Sequence, residues 1–265
     1  MFPAQRIVCL TEETVETLYL LGEQDRIVGI SGFVVRPLQA RKEKPRVSAF
    51  VSADIEKILA LQPDLVLAFS DIQADIAANL IRRGVTVFTL NHRSVAEILE
   101  MVRLVGTLAG AAERAEDLAR TLEGRVSAVR ERAARLKRRP RVYFEEWDGP
   151  LISGISWVSE LVEAAGGIDI FADRRSGSLA KERFVEPEEV IARAPDLIIG
   201  SWCGKRFRAD KLVARPGFDR IPAVRNGDVY EIKSPLILQP GPAALTDGLE
   251  AIAGLVERWA AKAPV

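Results

Sequence analysis

The sequence is poor in the residues and motifs that most enzymes use. Its 265 residues include one histidine, His92, and two cysteines, Cys9 and Cys203. A single histidine excludes a histidine-rich metal site, and a Ser-His-Asp triad would have to use that residue. Residues 154–157 lack the second glycine of a nucleophile elbow, and no nucleotide-binding glycine motif is present. These absences favour a binding protein without catalytic residues, a metal site or a cofactor of its own.

Charge and hydropathy exclude further classes of protein. Lysine plus arginine and aspartate plus glutamate number 37 each, so nothing in the net charge indicates a nucleic-acid partner. No apolar run approaches the length that spans a bilayer, and the first six residues lack the charged and apolar regions of a signal peptide. We expect an extracytoplasmic location if an export signal has been removed, and a cytoplasmic location otherwise.

A long helical segment near the middle of the chain, residues 94–139, is the strongest feature that is present. Apolar residues recur there in steps of three and four, in two successive runs. Gly106 and Gly110 lie between the runs and indicate a break, and Pro140 ends the second run. The second run, residues 111–137, predicts a helix about 40 Å long that joins two halves of the chain.

The two halves contain an internal repeat. Residues 54–69 align with residues 186–201, which matches one Pro-Asp-Leu triplet to another. Each copy predicts a short helix, a Pro-Asp turn and a buried, fully apolar strand. Strands alternate with helices elsewhere, as is typical of mostly parallel sheets. The sequence therefore predicts an α/β fold of two Rossmann-like lobes, residues 1–93 and 140–265, joined by the helical segment 94–139.

Aromatic and cationic residues are predicted near the ends of the strands. A strand over residues 141–145 precedes a polar loop, 146–150, that carries Trp147. Ligands of open α/β sheets bind outside the carboxyl ends of the strands, so a cleft between the lobes would suit a large, flat, partly apolar ligand. Arg36, Lys205 or Arg206 is available to an anionic group. The residues expected to contact the ligand are Phe33, Arg36, Phe50, Phe69, Trp147, Trp202, Cys203 and Arg206.

Two of these assignments have structural alternatives. Some of the rings fit ordinary core packing, in which a large apolar side chain is simply buried. Cys203 fits a buried, inert thiol as well as a soft ligand for a metal-bearing molecule.

Segments in the N-terminal lobe resemble a known family. They are residues 6–11, 16–22, 25–30 and 54–66, the last reading Asp-Ile-Glu-Lys-Ile-Leu-Ala-Leu-Gln-Pro-Asp-Leu-Val. The chain resembles the substrate-binding proteins of ABC importers for iron-siderophores, haem and vitamin B12, and most closely their cobalamin-binding members. The resemblance covers nearly the whole chain and includes the long helix, which is rigid in that family. It implies capture of a cobalamin-like corrinoid, or of haem or a ferric siderophore, and delivery to an ABC permease and its ATPase.

The resemblance also implies residues that contact the permease. In that family each lobe presents a surface carboxylate to arginines of the permease, and these carboxylates match Asp75 and Glu188. Aspartate stands at position 75, where the family usually has glutamate. Aromatic residues of the family's cleft match Phe50 and Phe69. A polar pair that some B12 binders carry is not recognisable in residues 233–238, so haem and ferric siderophores stay open as ligands.

An alternative function is a cytoplasmic enzyme or chaperone that handles the same kind of cofactor on this fold. The absent export signal favours it, as does the segment 202–205, Trp-Cys-Gly-Lys, in which the thiol could be reactive. For either function we expect a monomer with no membrane-spanning segment.

Overall fold

The chain folds into two compact units, and the long helix runs from one into the other. The computed structural model describes residues 3–177 and 179–262. The N-terminal lobe comprises residues 1–92 and 96–122, and the C-terminal lobe comprises residues 93–95 and 123–265. No helix in the described ranges is both long enough and apolar enough to cross a membrane.

The N-terminal lobe is built on a five-stranded sheet in which every pair of strands is parallel. Its strands are β1 (Ile7–Cys9), β2 (Ile27–Ser31), β3 (Arg46–Ser48), β4 (Leu65–Phe69) and β5 (Val87–Leu90), in the order β3-β2-β1-β4-β5. Its helices are α1 (Glu12–Leu20), α2 (Ala40–Glu43), α3 (Ile55–Ala60), α4 (Ala74–Arg82) and α5 (Val95–Leu108), with 3-10 turns at Gln24–Arg26 and Asp71–Gln73. Every residue of β4 is buried, as expected of a parallel strand covered on both faces.

The C-terminal lobe has a mixed sheet. Its strands are β6 (Arg141–Asp148), β7 (Leu151–Ser153), β8 (Ile168–Asp169), β9 (Leu197–Gly200) and β10 (Val229–Glu231). The order is β10-β9-β6-β7, and β8 pairs with the start of β6. The pair β6–β7 is antiparallel, and the other pairs are parallel.

Helices of the C-terminal lobe surround this sheet. They are α7 (Ser156–Ala164), α8 (Pro187–Arg193), α9 (Ala209–Val213), α10 (Pro222–Arg225), α11 (Ser234–Ile237), a π-helical turn (Ala244–Gly248) and α12 (Leu249–Ala261), with 3-10 turns at Ala172–Arg174, Ala180–Arg183 and Phe218–Arg220. The α/β architecture with two mostly parallel sheets confirms the fold class predicted from the sequence.

The predicted repeat is visible in the hydrogen bonds of its Pro-Asp turns. The Asp64 carboxylate accepts a hydrogen bond from the backbone N–H of Arg6 at 2.9 Å, just before β1. The Asp196 carboxylate accepts one from the N–H of Arg141 at 2.9 Å, at the start of β6. In each lobe, therefore, the turn of the repeat anchors the beginning of a central strand.

The break in the helical segment lies at one of the two predicted glycines. Gly110, with a φ of +75°, separates α5 from α6 (Ala112–Ala133). The prediction of a helix break at Gly106 was wrong, because Gly106 lies inside α5. Since it has no side chain, Ala115 of α6 can pack closely against it. A Cβ at Gly106 would lie 2.2 Å from the Cβ of Ala115. Helix α6 spans 22 residues, or about 33 Å.

The end of α6 also differs from the prediction. The helix ends at Ala133 rather than at residue 137, because the amides of Arg135 and Leu136 bond to carbonyls three residues back. This tighter pattern replaces the α-helical one before Pro140 is reached.

Substitution of Gly106 tests this helix contact. Gly106→Ala should lower the free energy of unfolding by about 1–3 kcal/mol, since overpacking outweighs the gain of about 1 kcal/mol in helix propensity. Gly124→Ala is the matched control, because Gly124 lies in α6 with no atom within 4 Å of its potential Cβ. The control should stabilise the chain. Urea unfolding followed by circular dichroism measures both, and stabilisation by Gly106→Ala would contradict the contact.

The prediction of a polar loop at residues 146–150 was wrong for residues 146–148. Residues 146–148 continue β6, and Gly149–Pro150 is the turn of a hairpin with β7. Trp147 pairs with Ile152, and Asp148 pairs with Leu151. The sequence Glu-Glu-Trp-Asp lacks an apolar run, so its strand conformation follows from cross-strand pairing rather than from its own composition.

Candidate functional site

The carboxyl ends of β2, β3 and β4 meet at one edge of the N-terminal sheet, because these strands are parallel. The segments that follow them expose large apolar side chains to an unusual degree. Phe33, after β2, is 53% exposed, and Val51, after β3, is 69% exposed, while Phe50 beside it is half-buried. We call Phe33, Arg36, Phe50 and Val51 the N-terminal strand-end surface. Exposed apolar side chains grouped in this way are typical of a binding surface.

Phe69 lies beneath this surface rather than on it. It is the last residue of β4 and is 6% exposed. Its ring meets that of His92 edge-on, with 5.2 Å between the centroids. His92, the only histidine, is itself buried. Phe69 therefore presents little of its ring to a ligand and supports the residues around it.

Arg36 is held by a buried group of glutamates that the sequence analysis missed. Its Nε donates to the Glu16 carboxylate at 3.0 Å. Glu12, one turn earlier in α1, accepts a hydrogen bond at 2.7 Å from the N–H of Val35. Glu12, Glu13 and Glu16 are all less than 10% exposed. The only signal for this group was three glutamates in the first five residues of a helix that follows a buried strand.

Burial raises the pKa values of Glu12 and Glu13. Desolvation raises the pKa of Glu12 to about 8, against an ordinary value of 4.5, although the bond from Val35 acts in the opposite direction. Desolvation likewise raises the pKa of Glu13 to about 7. One of the two carboxyl groups that anchor the segment carrying Phe33 and Arg36, that of Glu12, thus has a pKa raised to near neutral pH.

The raised pKa values predict how stability depends on pH. Between about pH 4.5 and 8 the folded chain retains protons that the unfolded chain has released, so stability should fall as the pH rises. Glu12→Gln should match the wild type near pH 5 and exceed it by about 1–3 kcal/mol at pH 8.5. Urea unfolding at both pH values measures this, with the exposed Glu123→Gln as control. Equal pH slopes for wild type and Glu12→Gln would contradict the proposed burial effect.

The C-terminal lobe presents a second surface, at the end of β6. The Trp147 ring is half-buried, and its Nε1 donates to the carbonyl of Gly149 at 3.1 Å. The Lys205 ammonium lies 3.8 Å from the centroid of this ring and pairs with the carboxylate of Asp148. We call Trp147, Asp148, Cys203, Lys205 and Arg206 the C-terminal strand-end surface.

Trp202 lies in the core rather than on this surface. It is 3% exposed, and its ring meets that of Phe207 edge-on at 5.0 Å between centroids. Its Nε1 donates to Glu145 at 2.9 Å. Glu145 is fully buried and pairs with the guanidinium of Arg215 through contacts of 2.5 and 2.9 Å. Trp202 therefore supports the segment 203–206 from below, as part of a buried polar network.

Cys203 and Arg206 are exposed, as expected of residues that contact a ligand. Desolvation and the carboxylate of Glu146 raise the pKa of the Cys203 thiol to about 11, so this thiol is protonated at neutral pH. A protonated thiol is a poor nucleophile and a weak metal ligand. Arg206 forms no ion pair with any described residue, which leaves its charge available to an anion.

The described residues contain no group of three or more His, Cys, Asp or Glu side chains placed to hold a metal ion. A shallow groove in the N-terminal lobe has a volume of about 420 Å³ and lies between α4 and the end of β5. Its lining contains none of the residues predicted to bind ligand; it consists of Ser70, Asp71, Ala74, Ala77, Ala78, Ile81, Thr89 and Asn91.

The two carboxylates predicted to contact a permease each lie near the start of a helix, one in each lobe. Asp75 is exposed in the first turn of α4, and Glu188 is exposed in the first turn of α8. Neither forms an ion pair with a described residue, whereas the neighbouring Glu189 pairs with Arg174. Both carboxylates are therefore free for an external partner, although the helix dipole alone also favours acids at these positions.

Known proteins are similar to this chain in sequence and structure over most of its length. The vitamin B12-binding protein of Vibrio cholerae is 28% identical over 255 residues, which cover 95% of this chain and 88% of that protein. The cobalamin-binding protein of Halobacterium salinarum is 27% identical over 244 residues; they cover 90% of this chain but 66% of that protein, just under two thirds of its length.

A solved structure shows the same fold. The periplasmic haem-binding protein RhuT of Roseiflexus sp. RS-1 superposes with a TM-score of 0.81 and 26% sequence identity, over 96% of this chain and 99% of that chain. The family model described as periplasmic binding protein matches residues 7–236. The chain therefore belongs to the periplasmic binding protein family, as its resemblance predicted.

Proposed function

We propose that this chain is the solute-binding protein of an ABC importer and that its ligand is a cobalamin-like corrinoid. The observation that carries the proposal is similarity to a vitamin B12-binding protein along 95% of the chain. Family membership supports binding and delivery of a solute over the alternative of a cytoplasmic enzyme or chaperone. The raised pKa of the Cys203 thiol also argues against a reactive segment at residues 202–205.

Each strand-end surface offers contacts of a kind that suits part of a corrinoid. Phe33, Phe50 and Trp147 offer apolar and aromatic area to a large, flat macrocycle. Arg206 offers a charge to the phosphodiester of the nucleotide arm of cobalamin. Phe69 and Trp202 act from beneath, since both are buried.

Haem is a weaker candidate as far as histidine and cysteine ligands are concerned. Proteins hold haem iron through histidine, cysteine, methionine or tyrosine side chains. The only histidine, His92, is buried against Phe69, and the exposed Cys203 keeps its proton at neutral pH. A corrinoid needs no such side chain, because cyanocobalamin brings both axial ligands of its cobalt.

Delivery of the ligand requires partners outside this chain. We propose that Asp75 and Glu188 contact arginines of the permease, whose ATPase drives import. The chain would then work outside the cytoplasm. A monomer suffices for this role.

Titration with cyanocobalamin tests the ligand. We expect saturable one-to-one binding by calorimetry, together with quenching of tryptophan fluorescence. Trp147→Ala should weaken binding about tenfold or more, which corresponds to about 1.4 kcal/mol. Trp259→Ala is the matched control. Trp259 lies on the C-terminal helix α12 and is also half-buried, but its ring stacks on the guanidinium of Arg138. The control should bind as the wild type does.

Other outcomes separate the parts of the proposal. Binding of haemin or a ferric hydroxamate in place of cyanocobalamin would overturn the corrinoid assignment and keep the solute-binding function. Binding of none of the three would contradict both. Equal loss of affinity in Trp147→Ala and Trp259→Ala would contradict the assignment of the C-terminal strand-end surface.

A further inference from the structure

One buried side chain joins three strand ends in the N-terminal lobe. Gln73, at the junction between a 3-10 turn and α4, is 1% exposed. Its Oε1 accepts a hydrogen bond from the N–H of Phe69 at 2.9 Å, at the end of β4. Its Nε2 donates to the carbonyl of Phe50 at 3.0 Å, after β3, and to that of Leu10 at 3.3 Å, after β1.

These three bonds use both donors of the Gln73 amide and one of the two acceptor sites on its oxygen. A buried amide bonded in this way holds each partner in place, because movement of any strand end leaves a polar group without a partner in the interior. Of its partners, Phe50 belongs to the N-terminal strand-end surface and Phe69 lies directly beneath it. Gln73 itself is too deeply buried to touch a ligand.

A bridging side chain also lies at the same distance beyond the second copy of the internal repeat. Gln73 stands nine residues after Asp64, and Lys205 stands nine residues after Asp196. Lys205 links the end of β6 to the segment after β9, since its ammonium contacts Asp148 and the rings of Trp147 and Trp202. In both lobes, then, the residue four positions after the repeat connects the segments that carry the proposed ligand contacts.

We propose that Gln73 is the positioning residue of the N-terminal strand-end surface, and that it sets ligand affinity by fixing the backbone of Phe50 and Phe69. The predicted effect of Gln73 on ligand binding rests on the proposed function. The predicted effect of Gln73 on the backbone does not depend on any ligand.

The ligand-free test is amide hydrogen exchange on the full chain. Gln73→Met removes the acceptor of the Phe69 N–H, and exchange of this amide should become at least about tenfold faster. Gln73→Glu keeps an acceptor there, so exchange at Phe69 should stay slow while the donors to Phe50 and Leu10 are lost. Unchanged exchange at Phe69 in Gln73→Met would overturn the proposal, whether or not the chain binds cyanocobalamin.

The ligand-dependent test is a double-mutant cycle with cyanocobalamin. Gln73→Met and Gln73→Glu should each weaken binding about tenfold in the wild-type background and less than about twofold in the Phe50→Ala background. A purely structural role would give the same factor in both backgrounds, and that result would overturn the proposal.

A buried polar residue of the same lobe serves as control. Thr17, in α1, is fully buried and its Oγ1 donates to the Glu13 carbonyl at 2.7 Å. Thr17→Val should lower the melting temperature and leave the affinity for cyanocobalamin unchanged. A loss of affinity equal to that of Gln73→Met would count against a specific role for Gln73.

Discussion

Replacement of Arg215 by methionine should lower the free energy of unfolding of the C-terminal lobe by about 3–5 kcal/mol. The Glu145 carboxylate is fully buried and pairs with both terminal nitrogens of this guanidinium. Without Arg215 it keeps the hydrogen bond from Trp202 Nε1 but loses the counter-ion that the described residues provide. A buried charge without a counter-ion is among the most costly defects in a folded protein, because water no longer solvates it.

The effect can be measured by tryptophan fluorescence during urea unfolding, since all four tryptophans lie in the C-terminal lobe. Arg208→Met is the matched control, because Arg208 forms an exposed pair with Asp210 and should contribute less than about 1 kcal/mol.

A double variant separates loss of charge balance from loss of packing. Glu145→Gln with Arg215→Met removes both charges and keeps an acceptor for Trp202, so it should recover most of the lost stability. If Arg215→Met costs no more than Arg208→Met, the Glu145–Arg215 pair does not carry the stability assigned to it. If the double variant is no more stable than Arg215→Met, lost packing rather than the unpaired charge is the cause.

The features that could be predicted well from the sequence are those that depend on local patterns of residues. The repeat carries its own turn chemistry, and the same Pro-Asp turn anchors a strand in each lobe through Asp64 and Asp196. The amphipathic run predicted α6, and the alternation of strands and helices predicted mostly parallel sheets. The ends of strands can be located from such patterns, and Phe33 and Trp147 were therefore correctly predicted to lie at or near strand ends.

The features that it missed depend on contacts between distant residues. Glu145 and Arg215 are 70 positions apart, so no local pattern connects them. Whether Trp202 faces a ligand or the core depends on Phe207 and Glu145, which only the folded chain brings to it. The hairpin β6–β7 likewise follows from cross-strand pairing. Strand ends could be located from the sequence, but which of their side chains stay exposed could not.

Charge reversal at Asp75 and Glu188 should abolish import while leaving ligand binding intact. Each carboxylate is exposed at the start of a helix and forms no ion pair with a described residue. Two opposite charges 4 Å apart at a protein surface attract by about 4 kcal/mol, and reversal turns this attraction into repulsion of similar size. Asp75→Lys and Glu188→Lys should each weaken docking about tenfold or more, and the double variant should reduce uptake to background.

Uptake of cyanocobalamin by the reconstituted permease and ATPase measures this effect, and calorimetry on the same variants measures the ligand affinity. Glu123→Lys, on α6, and Asp219→Lys, in the C-terminal lobe, are matched controls, since both acids are exposed. They change the net charge equally and should leave uptake unchanged. If docking depended on surface charge in general, the control variants would also lose uptake. Full uptake by the double variant would refute both docking assignments. Loss of ligand affinity in the double variant would instead place Asp75 or Glu188 in the binding site, because a docking carboxylate has no reason to affect the free protein's affinity for its ligand.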